Sequence, residues 1–482
     1  MEKSLTKNSI FYLIYNILNV IFPFITGIYV ARILLPEDIG LVETARNLAT
    51  YFVIFSFLGI PTYGLREISK TRNDINELNK LYSELIVINT ISTFIFLTLY
   101  IIIIVSVSAY RENIVVFLIC GLAISLNFLN NSWLFEGLEK YDYISIRNLI
   151  FKIISLVLLF IFVKDSDDYL IYAFITVIGT AGNYFLNVIN SKHYVKFSFR
   201  NLNLKRHMKS ILYLVVVNLA IEIYSLVDIT MLGLLCEKKT VTFYAYGMKI
   251  QKILLEVVNT FTMVLVPRIA LYYKEGQLKK FNCLLTKTLI IIIILAFPII
   301  IGIYYLGTPV ITLIYGYEYV RAAQVLKVLI IALCISPIGY LLGSRVMLVT
   351  GHENKMIIAV GAGAIINIIG NIILIPFAQE IGAAFASILS EGVVMTIYIL
   401  LSHRYFNVDL KLFFDSFIKV ILALIAMIFV LQFFKWLDDY RILFILFQIF
   451  LAIIVYFTFL ICTRETMSYS YYKKLIYKLN LI

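Results

Sequence analysis

The sequence is short of the side chains that do chemistry in water. Charged residues fill only 15% of its 482 positions. The four histidines (His193, His207, His352, His403) all fall in or beside polar connections, which argues against a histidine-dependent membrane enzyme. The five cysteines (Cys120, Cys236, Cys283, Cys334, Cys462) are scattered, odd in number and without CxxC spacing. They read as packing residues rather than disulfides or metal ligands. No Gly-rich phosphate loop ending in Lys-Ser or Lys-Thr occurs, so ATP hydrolysis by this chain is not expected. No cofactor, metal or catalytic constellation is expected. A cleavable leader is not expected either, because the first apolar run lacks a small-residue cleavage pattern and leads into further apolar runs.

What is abundant is apolar sequence. Hydrophobic residues make up 61% of the chain, and the mean hydropathy is +0.93. A bilayer core takes about 20 apolar residues per helix, and such runs recur from Ile10 almost to the C-terminus. They are continuous rather than alternating, which excludes a membrane β-barrel. The fold class is therefore an all-α polytopic membrane protein. Fourteen spans are predicted, the first seven at 10–31, 39–61, 81–108, 113–135, 144–163, 169–190 and 210–235. The rest fall at 241–266, 288–307, 324–348, 356–376, 382–402, 416–434 and 442–463.

The net charge of +12 follows this layout and calls for no nucleic acid. Alternate connections are rich in Lys and Arg: Arg66 to Lys80, Lys192 to Lys209, Arg268 to Lys287, and the tail from Arg464. The opposite connections are short and poor in them. The positive-inside rule then places both termini in the cytoplasm.

The second half echoes the first. "YGLREIS" (Tyr63–Ser69) ends span two as "LVPRIALYYKEG" (Leu265–Gly276) ends span eight. "FEGLEKY" (Phe135–Tyr141) turns the chain after span four as "VTGHENK" (Val349–Lys355) does after span ten. The segment "TPVITLIYGYEYV" accounts for the extra length of the second half. Two six-helix bundles of like orientation follow, at 1–205 and 206–405, a parallel repeat with a substrate site expected between the halves. Residues 406–482 hold an extra helix pair and a basic tail.

The opening "NSIFYLIYNILNVIFPFITGIYVARILLPEDIG" resembles the start of the bacterial polysaccharide (Wzx-type) flippases. So do "LGIPTYGLREISK", the stretch from "VDITMLGLL" to "FYAYGMKI", and "IYGYEYVRAAQVLKVL". The wider superfamily holds the lipid II flippase and the multidrug and toxin exporters. The resemblance covers essentially the whole chain, but its motifs are diffuse and identify the superfamily more firmly than the substrate. It implies a flippase for an undecaprenyl-diphosphate-linked oligosaccharide serving surface polysaccharide synthesis. Such a flippase lies in the bacterial cytoplasmic membrane and works by alternating access, as a monomer, alongside a polysaccharide polymerase and assembly proteins. In the lipid II flippase an analogous extra pair forms a lipid-tail groove; simple packing on the second half is the equal alternative here.

Charges inside the spans nominate the site. Arg46 and Lys249 lie at similar depth in spans two and eight, and Lys252 and Glu256 share a face with Lys249 at i+3 and i+7. Arg345 lies in span ten. These cations suit a diphosphate, which arginine clamps bidentately and lysine neutralises. Glu222, Asp228, Glu256 and Glu391 are candidates for ion or proton coupling. Tyr224, Tyr244, Tyr246, Asn218 and Asn259 are candidates for sugar contact, although most of the 34 tyrosines suit an interfacial belt. The bland readings stand beside these: Glu43 and Arg46 form a local i, i+3 pair, and Arg345 snorkels to the interface. A drug exporter of the same fold, driven by H+ or Na+, is the main alternative; its cargo of organic cations favours carboxylates. A membrane enzyme or an assembly scaffold is a weaker one. Pro23, Gly27 and Pro61 are candidate bending points.

Overall fold

Apolar runs in hydrocarbon leave the backbone one economical way to satisfy its own hydrogen bonds, the α-helix. The computed structural model describes residues 21–263, 265–352, 355–435 and 442–479, without the side chains of 216–225, 263, 344, 435, 474–476, 478 and 479. The described residues are helical with no strand. Nine of their helices are long and apolar enough to cross a membrane. A bent pair, Tyr317–Leu329 and Ala332–Met347, makes a tenth, its parts meeting at 46°.

Local chemistry explains where helices start and break. The Asp74 carboxylate caps Ile75–Ser106 by accepting from the backbone N–H of Asn76 at 3.0 Å and Glu77 at 3.2 Å. The second predicted span breaks before Pro61, at Leu58 and Gly59, whose φ values are 49° and 72°. Glycine adopts that backbone freely, and a Cβ at Gly59 would lie 2.9 Å from the Leu214 Cβ. The fourth predicted span is interrupted: Ile114–Ser125 gives way to a short 3-10 turn, Asn127–Leu129, and then to Ser132–Gly137. The eleventh and twelfth run on as Met356–Ser402, broken at Gln379 with φ 47° and ψ −125°. Between the fifth and sixth, Asp168 accepts from the backbone N–H groups of Lys164 at 2.8 Å and Asp165 at 3.0 Å. The N–H groups of Asp165 and Lys164 hold its carboxyl below the usual carboxylate range.

The chain divides into two compact units, Met1–Thr242 and Phe243–Ile482. Within the first unit, Lys205–Leu235 packs on Pro36–Phe57 and Ile60–Thr71. Small side chains allow that approach: a Cβ at Gly233 would come within 2.7 Å of the Thr44 Cγ2.

In the first unit a core of Ile60, Tyr63, Ile68, Leu78, Leu81 and Trp133 joins the ends of several helices. Gly64 lies under the Trp133 indole, where a Cβ would be 2.7 Å from Cε3. In the second unit the C-terminal pair, Leu410–Lys435 and Ile442–Cys462, packs against Leu278–Ile314 through Met427, Leu431, Ala452, Tyr456 and Ile294. The Tyr456 hydroxyl donates to the Ile294 carbonyl at 2.9 Å. The other face of the pair remains bare, with Phe429, Phe433 and Phe450 largely exposed.

Replacing Gly64 by leucine forces overpacking against Trp133 and should lower stability by about 1–3 kcal/mol. Gly361, which has open space around it, should tolerate alanine with a change below about 1 kcal/mol. Thermal unfolding of both variants in one detergent checks the contrast.

Candidate functional site

Charged residues lie within helices of both units. In the first, Pro36–Phe57 carries Glu43 and Arg46 one turn apart, and they form an ion pair. The Glu43 side chain is 1% accessible and that of Arg46 39%. The local pair is therefore present, and it buries the carboxylate while leaving much of the arginine open. One residue on, the Asn47 amide donates to the Thr230 hydroxyl at 2.7 Å and to the Leu226 carbonyl at 3.1 Å. The Thr230 hydroxyl also lies 3.3 Å from the Tyr51 hydroxyl. These bonds tie Pro36–Phe57 to Lys205–Leu235, on which Asp228 is buried two residues before Thr230. Asn218, Glu222 and Tyr224 are on the same helix, but their side chains lie outside the described residues.

In the second unit, Lys249, Lys252 and Glu256 follow one another along Lys238–Met263. Lys252 and Glu256 are exposed. Lys249 is half-buried, with its Nζ 4.6 Å from the centroid of the Tyr246 ring. The Tyr246 ring also stacks on Tyr315 at 4.5 Å and 11°. Tyr246 is therefore a core residue whose ring faces are already engaged. Tyr244 is buried too, its hydroxyl 3.2 Å from that of Ser387. Neither tyrosine presents an open ring face in this conformation. Asn259 is half-buried, and its Oδ1 is buried with no hydrogen-bond partner.

Arg345 lies within a π-helical stretch, Leu341–Met347, a rare geometry that is frequent at functional positions. Its guanidinium carbon sits 4.5 Å from the Tyr340 ring centroid. Its Nε and one Nη are buried without a hydrogen-bond partner. On Met356–Ser402, Glu391 accepts from the Ser336 hydroxyl at 2.8 Å and so links that helix to Ala332–Tyr340. Among the described residues no cluster of three or more His, Cys, Asp or Glu is arranged to hold a metal.

Sequence reasoning missed three charged arrangements. Fully buried Glu84 accepts from the Asn203 backbone N–H at 2.7 Å, from Arg206 at 2.6 and 2.9 Å, and pairs with His207 at 2.7 Å. Arg206 also reaches Glu77 at 2.8 Å, and His207 bonds the Tyr63 hydroxyl at 2.8 Å. A glutamate four residues into a predicted span was the available signal, but its partners lie more than a hundred positions away. Arg147, 3% accessible, sits among Ser132, Asn148 and the Tyr143 ring. Arg321 pairs with buried Glu380 at 2.7 Å beside the break at Gln379.

Comparison with known proteins settles the family. A model of the family described as "Polysaccharide biosynthesis protein" matches residues 5–272, more than half of the chain. The chain belongs to that family. A candidate O-antigen transporter of Escherichia coli (strain K12) is similar at 24% identity over 415 residues, 82% of this chain and 96% of that one. A protein of the same description from Shigella dysenteriae is 30% identical over 177 residues, 36% of this chain and 43% of that one. Among solved structures, the lipid II flippase MurJ in an inward closed conformation aligns with a TM-score of 0.74 at 18% identity. That alignment covers 96% of this chain and all of that one. An inward-facing multidrug transporter of the MATE family aligns with a TM-score of 0.64 at 14% identity, over 80% of this chain and 93% of that one. At such identities the structural likeness concerns the fold. The family member is thus a multi-pass membrane protein with the fold of the MurJ and MATE transporters. Its curated relatives are described as candidate O-antigen transporters, not as enzymes.

Glu84→Ala removes a buried carboxylate facing a guanidinium and an imidazole and should destabilise the first unit by about 3 kcal/mol. Glu77→Ala, at an accessible pair, should cost less than about 1 kcal/mol. Thermal unfolding of the two variants in detergent distinguishes these cases.

Proposed function

We propose that the protein is a flippase for a polyprenyl-diphosphate-linked oligosaccharide, with undecaprenyl diphosphate as the carrier. It moves the lipid from the cytoplasmic to the outer leaflet of the bacterial cytoplasmic membrane by alternating access, with both termini in the cytoplasm. The observation that carries this reading is Arg46: an arginine side chain 39% accessible inside a membrane-length helix, in a chain of the polysaccharide biosynthesis family. A cation at mid-span costs about 2.5–3.5 kcal/mol on insertion scales. Buried Glu43 offsets part of that cost, and the open side of Arg46 serves a phosphate. Lys249, Lys252 and Arg345 are the other cations retained for the anionic head, and the unpartnered nitrogens of Arg345 suit a phosphate acceptor.

Glu256, one turn from Lys252, and Asp228, Glu391 and Glu222 are the groups for ion or proton coupling. Asn259, Asn218, Tyr224, Tyr244 and Tyr246 are retained for the sugar, the buried tyrosines only after a change of conformation. The bare aromatic face of the C-terminal pair suits the lipid tail. A polymerase and assembly proteins acting on the same lipid are the expected partners of a monomeric flippase. An inside-negative potential pushes the diphosphate outward with about 2.3 kcal/mol per uncompensated charge per 100 mV.

The test is translocation of a polyprenyl-diphosphate oligosaccharide in proteoliposomes, read by an external enzyme that acts on the exposed head. Arg46→Ala would strand buried Glu43, so the informative variant is Glu43→Gln/Arg46→Gln, run beside Lys252→Ala. Loss of one charged phosphate contact, about 1.5–3 kcal/mol, predicts at least a tenfold slower rate in each. Wild-type export of a cationic dye with no movement of the lipid would overturn the proposal.

A further inference from the structure

Val266–Lys274 and the start of Leu278–Ile314 flank an open cavity of about 360 Å3 that the translocation reading leaves unused. Arg268, Lys279, Lys280 and Lys287 line it, and no carboxylate does. Their positions explain the convergence. Lys279 and Lys287 stand two turns apart on one helix with Lys280 beside them, while Arg268 and Tyr272 are one turn apart on the other. The Lys280 Nζ lies 5.7 Å from the centre of the Tyr272 ring. The acid nearest in the sequence, Glu275, accepts from the Gln277 side-chain amide at 2.7 Å and lies outside the lining.

Four like charges around one small cavity repel each other unless an anion sits among them. The sequence that follows the cavity says which kind of anion. One residue after Lys287 begins the run "LIIIIILAF", Leu289–Phe297, so the cations stand at the boundary that the apolar sequence sets between hydrocarbon and water. Leu271 and Leu278, both about half exposed, flank the cavity, and Leu284 lines it. Charged donors above apolar walls at that boundary match an amphiphile, with phosphate in the cavity and acyl chain beside the helices.

We propose that this cavity binds the phosphate headgroup of a membrane lipid, separately from the cargo site. The inference does not depend on the translocation reading: it needs only a basic cavity at a membrane boundary. Phosphatidylglycerol and the polyprenyl diphosphate carry the same recognisable group.

Cys283 lines the cavity as an exposed thiol and gives a direct readout. Two single-cysteine proteins, retaining Cys283 or the exposed Cys462 as a control, are placed in nanodiscs and labelled with a water-soluble maleimide. At about 1 kcal/mol per basic residue near an anionic headgroup, occupancy should slow Cys283 labelling at least tenfold in phosphatidylglycerol relative to phosphatidylcholine. Cys462 should change little, and Lys279→Gln/Lys280→Gln/Lys287→Gln should abolish the difference. An unchanged Cys462 rate in that variant shows that it has folded; Arg268→Gln alone gives a milder second case. Protection by phosphatidylglycerol, or by the polyprenyl diphosphate lipid added to phosphatidylcholine discs, supports the proposal and identifies the lipid. Equal rates in all lipids, equal slowing at Cys462, or protection by inorganic phosphate alone would overturn it.

Discussion

Moving an ion from water into hydrocarbon costs several kcal/mol even after relaxation, and the placing of charge in this protein follows from that cost. Glu43 is tolerated at 1% accessibility because Arg46 stands one turn away on its own helix. Glu84 is tolerated because a backbone N–H, a guanidinium and an imidazole surround it. Glu380 has Arg321. In each case the carboxylate is buried and the cation keeps part of its surface open, between 32% and 45% of the side chain for the three arginines. Arginine suits this arrangement because its planar fork holds one carboxylate and still presents N–H donors elsewhere. A buried acid thus becomes the support for an accessible base.

Two of the irregular stretches in the helices adjoin or carry a charged residue. Gln379, held at positive φ, adjoins Glu380, and the π-helical stretch carries Arg345. Opening the regular backbone there turns side chains away from the positions a straight helix would impose. The chain uses such irregularity sparingly, since exposed peptide groups in lipid are costly. The rest of each unit is conventional packing, and glycines allow the closest approaches, as at Gly64 under Trp133 and Gly233 against Thr44.

Much of the architecture was legible because hydrophobicity in a bilayer is a local property. Helix lies at every predicted span within the described residues, and the family expected from the opening "NSIFYLIYNILNVIFPF" and from "LGIPTYGLREISK" is the one whose model matches. The site was legible only as a list of charges. That Glu43 pairs with Arg46 follows from their spacing. That Tyr246 is stacked between Tyr315 and Lys249, rather than open to a sugar, does not. Its ring is paired across about seventy positions, and no local pattern encodes such a contact.

The sequence by itself determined the helices, the membrane and the rough positions of the ions, because about 20 consecutive apolar residues admit one structure in hydrocarbon. Tertiary structure decided which ions neutralise each other, which remain accessible, and where the division between units falls. Lys205–Leu235 joins the first unit because Asn47 and Thr44 meet it on that side. Glu84 and Arg206 meet because their helices pack, across more than a hundred residues of chain. Burial and pairing depend on neighbours distant in sequence, and only the folded chain brings those neighbours together.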